Sequence, residues 1–453
     1  MLEKNLELSE LIRPQGFDCI CGKRHSAAVI EFLAVEPGCI VKLPQALTKL
    51  GIKKPFLIMG ENGRDAAGRR AAELLEGASI PFSLFCFPGR DKILPNEESV
   101  AAIDSAFDAG CDFILGVGSG VINDLCKMLA FQRGLSCGIV ATAPSMDGYA
   151  SNSSAMELKG IKTTVYTVCP SLILCDTEIM RQAPGPMLSA GFGDMAAKII
   201  SVSDWRIAHL ITGEYYCDKV AGLMLEACEK VLDNVSGISR RDEYSVRQLT
   251  EGLILSGIAS SYAGVSRPAS GLEHTLSHLL EMFSLARGRQ PASHGIQVAY
   301  GTRVALKLYR QIYDFRPSRE YFEQAMGAFS QSAWESSMKE VFGRQAEALI
   351  EASRKSGRNS LSTAQEHFSK AMEHWQEIRK IAAFALDREK ALNAALDKMN
   401  LPRISQPELL GFSQEDINNA LIHSRDLRDR YILSSLCWDI GMHWYSSPPP
   451  IWD

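Results

Sequence analysis

No apolar run in the 453 residues approaches the roughly 20 needed to cross a bilayer. A membrane-spanning helix is therefore not expected. Basic charge is not in excess either. Forty-eight Lys and Arg stand against 53 Asp and Glu, a formal charge of −5. Such a chain has no electrostatic drive toward nucleic acid or an anionic membrane surface. The acidic start, Met1 to Glu10, has no apolar segment of the secretory kind, so a cytoplasmic protein is expected. Internal repeats and low-complexity tracts are also missing. What is present is ordinary globular composition, 46% hydrophobic and 22% charged, which excludes disordered, collagenous and coiled-coil classes. The length suggests two or three domains and a core that needs no staples.

The 12 cysteines are scattered, and Cys111, Cys137, Cys169 and Cys175 sit inside apolar runs. This pattern fits reduced, buried thiols better than a disulfide framework. One cluster differs, Cys19-Ile-Cys21-Gly-Lys-Arg-His25. It offers three ligands of a metal knuckle where a closed zinc site needs four. It reads as a β-turn with Gly22 at the tip.

Strand and helix signals alternate through the first part. Pro55–Gly60, Pro81–Phe87, Asp112–Val117 and Gly138–Thr142 are short apolar or β-branched runs. Helical spacing separates them at Asp65–Glu76, Asn96–Ala109 (with Asn96 as N-cap) and Val121–Phe131. One or two further strands are expected within Lys162–Asp176. This order predicts an α/β domain with a mainly parallel, doubly wound, Rossmann-like sheet. After about residue 180 strand signals nearly vanish. Stretches such as Tyr216–Asn234, Val246–Ala263 and Gln345–Lys355 repeat apolar residues at helical spacing. The expected division is an α/β dinucleotide-binding domain over 1–180 and an all-α metal- and substrate-binding domain over 181–453.

Chemistry-bearing residues fall at strand ends. Gly116-Val-Gly118-Ser119-Gly120-Val121-Ile122 follows a strand and opens a helix. Glycines let the backbone approach a phosphate, and the N–H groups of a helix start bind its charge. The run is neither a Walker A loop nor a complete G-x-G-x-x-G fingerprint. Thr142-Ala143-Pro144-Ser145-Met-Asp147-Gly-Tyr-Ala-Ser151 follows the next strand and is rich in hydroxyls. Ligands of open parallel sheets bind at the carboxyl ends of strands, so these loops together suggest a dinucleotide. In the helical half, Asp194 follows a glycine pair, and three of the nine histidines are His274, His278 and His294. Neutral imidazoles with a carboxylate suit Zn²⁺, Ni²⁺ or Fe²⁺, and spacing does not say which two histidines bind. Lys127 and Lys198 read as helix-surface charges. Arg267 offers a guanidinium fork that suits phosphate oxygens, or else caps or pairs with a nearby carboxylate.

The order Gly-Ser-Gly-Val-Ile-Asn-Asp, Thr-Ala-Pro-Ser-Met-Asp-Gly-Tyr-Ala-Ser, Ala-Gly-Phe-Gly-Asp, Arg-Pro-Ala-Ser-Gly-Leu-Glu-His-x-x-x-His and His-Gly closely resembles the bacterial sn-glycerol-1-phosphate dehydrogenases. These belong with dehydroquinate synthase and the iron-containing alcohol dehydrogenases. The resemblance spans roughly residues 15 to 310 and includes the Cys19-x-Cys21 start. It implies a dehydroquinate synthase-like fold and a homo-oligomeric enzyme of phospholipid metabolism. It also implies NAD(H) or NADP(H) and one divalent ion, nickel, zinc or iron. Gly118, Ser119, Gly120, Val121 and Ile122 would line the cofactor pyrophosphate. Thr142, Ala143, Pro144 and Ser145 would continue that site, with Ser151 beside it. Asp194, His274 and His294 would hold the metal, Asp194 also facing substrate. Asp147 and His278 would contact substrate and act catalytically, with His278, titrating near working pH, or a metal-bound water as the proton relay.

The implied reaction is reduction of dihydroxyacetone phosphate, a small phosphorylated triose, to sn-glycerol 1-phosphate. Relatives often carry an acidic residue where this chain has Gly60 before Glu61-Asn62, which leaves strict NAD preference open. Rival readings are a polyol (glycerol) dehydrogenase, a dehydroquinate synthase-like cyclase and, from another class, a metal-dependent phosphohydrolase.

Overall fold

Short runs that are apolar on both sides of the chain have to be covered on both faces. Here they form a six-stranded parallel sheet in a computed structural model. The structure describes residues 16–25, 29–90, 92–158 and 161–442, without the side chains of 161 and 162. The acidic start and residues 443–453 lie outside the described residues.

A two-residue hairpin comes first, β1 (Phe17–Asp18) against β2 (Arg24–His25). The sheet strands are β3 (Phe32–Glu36), β4 (Pro55–Gly60), β5 (Ser83–Phe87), β6 (Phe113–Gly118), β7 (Ser136–Ala141) and β10 (Leu172–Asp176). Between the last two, β8 (Ser153–Leu158) and β9 (Ile161–Tyr166) pair as an antiparallel hairpin. The sheet order is β3-β10-β7-β6-β4-β5. Every residue of β4, β6 and β10 is buried. Leu57, Met59, Leu115, Val117, Val140 and Leu174 share a core with Leu43, Leu47, Ala71 and Leu75 of the helices Leu43–Lys49 and Arg69–Gly77. Alternate strand residues point the other way. On that side a Cβ at Gly116 would meet Ile139, and Cys126 and Ile122 of the helix Gly120–Arg133, so helices cover both faces.

The chain runs from β4 outward to β5, then returns to β6 on the opposite side of β4. The order therefore reverses between β4 and β6, and a crevice opens at such a switch point beyond the carboxyl ends. Asn96 does cap its helix, its side chain accepting from the Ser99 N–H at 3.0 Å. The Asp65–Glu76 expectation needs correcting. Helical backbone starts directly after β4 at Glu61 and passes through a π turn, Arg64–Gly68, before the regular helix Arg69–Gly77. Close contacts shape that segment: a Cβ at Gly63 would lie 2.6 Å from the Val117 carbonyl and one at Gly68 2.5 Å from Met59 Sδ.

By its contacts the chain divides into two units. One comprises residues 1–196 and 218–269, the other 197–217 and 270–453. The first adds to the sheet the helices Gly185–Ala196, Asp218–Asp233 and Glu243–Ala263. The second contains no strand among its described residues. Its centre is built by the helices Lys198–Thr212, Leu272–Ala286, His294–Asp314 and Trp375–Asp387, with Trp205, Leu279, Val304, Leu308 and Ile378 buried. No helix of the described residues is long and apolar enough to cross a membrane.

Candidate active site

In the first unit, β6 ends at Gly118 and the helix Gly120–Arg133 starts two residues later. Ser119 at the N-cap is extended and makes no side-chain cap. The first helical bond runs from the Asn123 N–H to the Ser119 carbonyl at 3.1 Å. The N–H groups of Gly120, Val121 and Ile122 therefore face out of the helix start, as donors for an anion. The glycines have a second reason to be there. A Cβ at Gly118 would sit 2.6 Å from Ile122 Cγ1, and one at Gly120 2.6 Å from Met146 Cγ.

The hydroxyl-rich loop lies against this turn. The Thr142 N–H donates to the Gly118 carbonyl at 3.0 Å, and the buried Tyr149 hydroxyl donates to the Ala143 carbonyl at 2.7 Å. Two helices of the same unit press on the loop. A Cβ at Gly191 would come within 1.9 Å of the Pro144 carbonyl, and one at Gly257 within 2.9 Å of the Ala150 backbone. Asp194, fully buried in the Gly191 helix, accepts the Asp147 N–H at 3.1 Å. Asp147 in turn accepts the Ser256 hydroxyl at 2.7 Å. Thus Gly118–Ile122, Thr142–Ser145, Ser151, Asp147 and Asp194 all belong to one connected set of loops and helix ends.

Lys127 corrects the sequence reading. It is not a surface charge but fully buried. Its ammonium pairs with Asp124 at 2.9 Å and donates to the Gly148 carbonyl at 3.2 Å, the Ser151 hydroxyl at 3.4 Å and the Ser153 carbonyl. A cation there holds the return of the hydroxyl-rich loop. Lys198, in the second unit, is fully buried too. Arg267 is buried in the single turn Arg267–Ala269.

The second unit carries the histidines on two helices. His274 and His278 lie one turn apart on Leu272–Ala286, and His294 opens His294–Asp314. The helices pack closely: a Cβ at Gly301 would lie 2.6 Å from the Glu273 carbonyl. The His294 ring centroid is 5.3 Å from that of His274 and 5.5 Å from that of His278. Glu273, unremarked in the sequence, is fully buried and joins His274 Nδ1 at 2.7 Å through an oxygen that also accepts the Gly271 N–H at 2.8 Å. This fixes the imidazole with Nε2 left to ligate, the usual support of a metal-binding histidine. His294 Nδ1 meets the Ser277 hydroxyl at 3.2 Å.

Glu281 is a further residue that spacing did not single out. His278, Glu281 and His294 bring one ligand atom each within 4.8 Å of one another. Burial first, then the Arg428 guanidinium, hold His278 well below the ordinary histidine range. Both causes pull against the titration near working pH expected from the sequence.

Comparison with known proteins gives these residues their context. Residues 34–184 match the family model of the iron-containing alcohol dehydrogenases. A protein of Bacillus licheniformis named glycerol-1-phosphate dehydrogenase [NAD(P)+] is 34% identical over 311 residues, covering 68% of this chain and 77% of its own. One of the same name from Thermococcus kodakarensis is 35% identical over 256 residues, 56% of this chain and 71% of that one. In fold, the chain resembles a 1,3-propanediol oxidoreductase with a TM-score of 0.61 at 15% identity, covering 94% of this chain and 100% of that one. A probable glycerol dehydrogenase of Sinorhizobium meliloti gives 0.58 at 16%, covering 91% and 96%. The chain belongs to the glycerol-1-phosphate dehydrogenases.

Proposed function

We propose that this enzyme reduces dihydroxyacetone phosphate to sn-glycerol 1-phosphate with NADH or NADPH, and runs the reverse reaction. The observation that carries the reading is the hydrogen bond from the Asp147 N–H to Asp194. It ties the loop next to the phosphate-binding helix start to the carboxylate assigned to the metal. Relatives named for this activity and for both coenzymes support it.

Each residue has a task in that reaction. Gly120, Val121 and Ile122 hold the pyrophosphate through their N–H groups, and Thr142–Ser145 continue the same site, with Lys127 steadying the stretch 148–153 that follows. Asp194, His274 and His294 hold one divalent cation, nickel, zinc or iron. The donor set fits such an ion because Glu273 leaves a single ligating nitrogen on His274. The cation supplies Lewis acidity at the ketone oxygen, an effect of several kcal/mol, and the nicotinamide supplies the hydride. Asp147, fixed by Ser256, orients a substrate hydroxyl. His278 passes a proton by accepting at one ring nitrogen and donating from the other. Arg267 faces the substrate phosphate in this reading. In this reading the enzyme works in the cytoplasm as a homo-oligomer.

The test is turnover of purified protein with dihydroxyacetone phosphate and NADH or NADPH, followed by nicotinamide absorbance and chiral analysis of the product. Chelation and dialysis should abolish turnover, and metal readdition should restore it. Faster turnover of unphosphorylated polyols, or no net nicotinamide oxidation, would overturn the reading.

A further inference from the structure

The hairpin β1–β2 is too small to hold itself. Its ladder has two residue pairs, Phe17 with His25 and Asp18 with Arg24. Even a full isolated hairpin is marginal in water, so a shorter one needs another restraint. Gly22 stands at the tip with φ +83°, as the sequence suggests, and the Gly22 N–H donates to the Cys19 carbonyl at 3.0 Å. The turn is thus real, but its residues do more than turn.

His25 is 1% exposed in a loop region where most residues are not buried. Its Nδ1 lies 2.7 Å from the Tyr262 carbonyl. A carbonyl only accepts, so Nδ1 carries the proton and Nε2 the lone pair. That lone pair is directed to Cys21, with Sγ at 3.5 Å. A histidine whose outer nitrogen is tied to a backbone carbonyl while the other faces a thiol has the tautomer and orientation of a metal ligand. The Cys19 thiol completes the group: ligand atoms of Cys19, Cys21 and His25 all lie within 4.8 Å of one another. The ring of Phe17, 4.8 Å from His25 and 5.2 Å from Tyr262, shields the imidazole on one side.

We propose that Cys19, Cys21 and His25 bind a zinc ion with a structural role, a second metal site in this enzyme. Two thiolates and an imidazole are soft and borderline donors that select zinc over magnesium or calcium. Binding forms two zinc–sulfur bonds and releases the two thiol protons to solvent. A tetrahedral ion retains one further position, for a protein group outside residues 19–25 or for water. The metal supplies the restraint that a two-pair ladder lacks and fixes the hairpin to the backbone of the helix Glu243–Ala263 through His25.

The site differs chemically from the Asp194 and histidine centre, whose donors contain no sulfur, and this makes it separately measurable. Zinc X-ray absorption on the intact wild-type protein should show sulfur scatterers at about 2.3 Å. Cobalt substitution should give a thiolate-to-cobalt charge-transfer band. In the double variant Cys19→Ser, Cys21→Ser the metal content should fall by one ion per chain and the band should vanish, whereas His25→Cys should retain both. Zinc spectra without sulfur in the wild-type protein would overturn the proposal, with no need for any variant to fold. Unchanged metal content and cobalt spectrum in a folded double variant would overturn it as well. Cys21 would then be only a hydrogen-bond partner of His25.

Discussion

The two halves of the chemistry are built in different ways. In the first unit the glycine turn and the hydroxyl-rich loop are held by backbone: Gly118, Gly120 and Gly191 occupy places where a side chain would collide, and a main-chain bond joins one loop to the other. In the second unit the histidine cluster is held by side chains, with Glu273, Ser277 and Glu281 placed against the imidazoles. A backbone site tolerates substitution at its solvent face but not of its glycines. A side-chain site depends on carboxylates that touch no substrate. The comparison is broken or sharpened by what each kind of change does.

The largest effect is expected at His274. His274→Ala should remove the metal and lower kcat/KM by about a thousand-fold or more, since the Lewis acid is worth several kcal/mol. His278→Ala should cost rate with metal retained. Metal analysis of both variants decides between ligand sets. Retention in His274→Ala with loss in His278→Ala would assign the ion to His278, Glu281 and His294 instead.

Next is Glu273→Gln, which keeps the shape but weakens the bond to His274 Nδ1. Changes of this kind typically cost roughly 10–100-fold in metal affinity. Metal titration should show that loss while KM for the coenzyme stays put. A coenzyme effect without a metal effect would dissolve the contrast between the two units.

A smaller loss is expected in the first unit. Gly191→Ala puts a methyl against the Pro144 carbonyl, and overpacking of a filled interior costs about 1–3 kcal/mol. The melting temperature should fall and KM for NADH should rise, with metal content unchanged. Wild-type values for both would mean that the helix relaxes away from the loop.

How much of this was legible follows from where each constraint lies. Gly118–Ile122 and the Thr142 loop were readable because strand, glycine turn and helix start are adjacent in sequence. β4 and β6 were readable from apolar runs, whereas β3 and β8 are mixed in pattern: β3 gains its order from pairing with the distant β10, and β8 from its hairpin with β9. Lys127 was misread because a helix position does not reveal that residues 148–153 return over it. Glu273 was overlooked because its neighbour His274 drew the assignment and a buried carboxylate is recognised only by burial. The helices Asp218–Asp233 and Glu243–Ala263 look like the rest of the helical half, yet their contacts are with the sheet unit. A boundary drawn by texture at residue 180 and a division drawn by contacts answer different questions.

The smallest expected effect concerns coenzyme choice at the carboxyl end of β4. A carboxylate there binds a ribose hydroxyl and repels a 2′-phosphate. Glu61 follows Gly60 at that place, but one of its oxygens accepts the Gly89 N–H at 3.2 Å and the other lies 3.9 Å from Arg90. Arg90 also donates to Asn62 at 3.0 Å and pairs with Asp65. Together Arg90 and the Gly89 N–H offset the negative charge of Glu61, and the guanidinium is exposed enough to meet a phosphate. A carboxylate offset in this way should admit both coenzymes. Arg90→Ala should lower kcat/KM for NADPH relative to NADH, and because exposed ion pairs are weak and screened the shift should be about fivefold at most. Rising salt should erase it in the wild-type enzyme. An unchanged ratio would mean that the adenosine ribose lies elsewhere along the sheet edge, and that the glycine turn alone anchors the coenzyme.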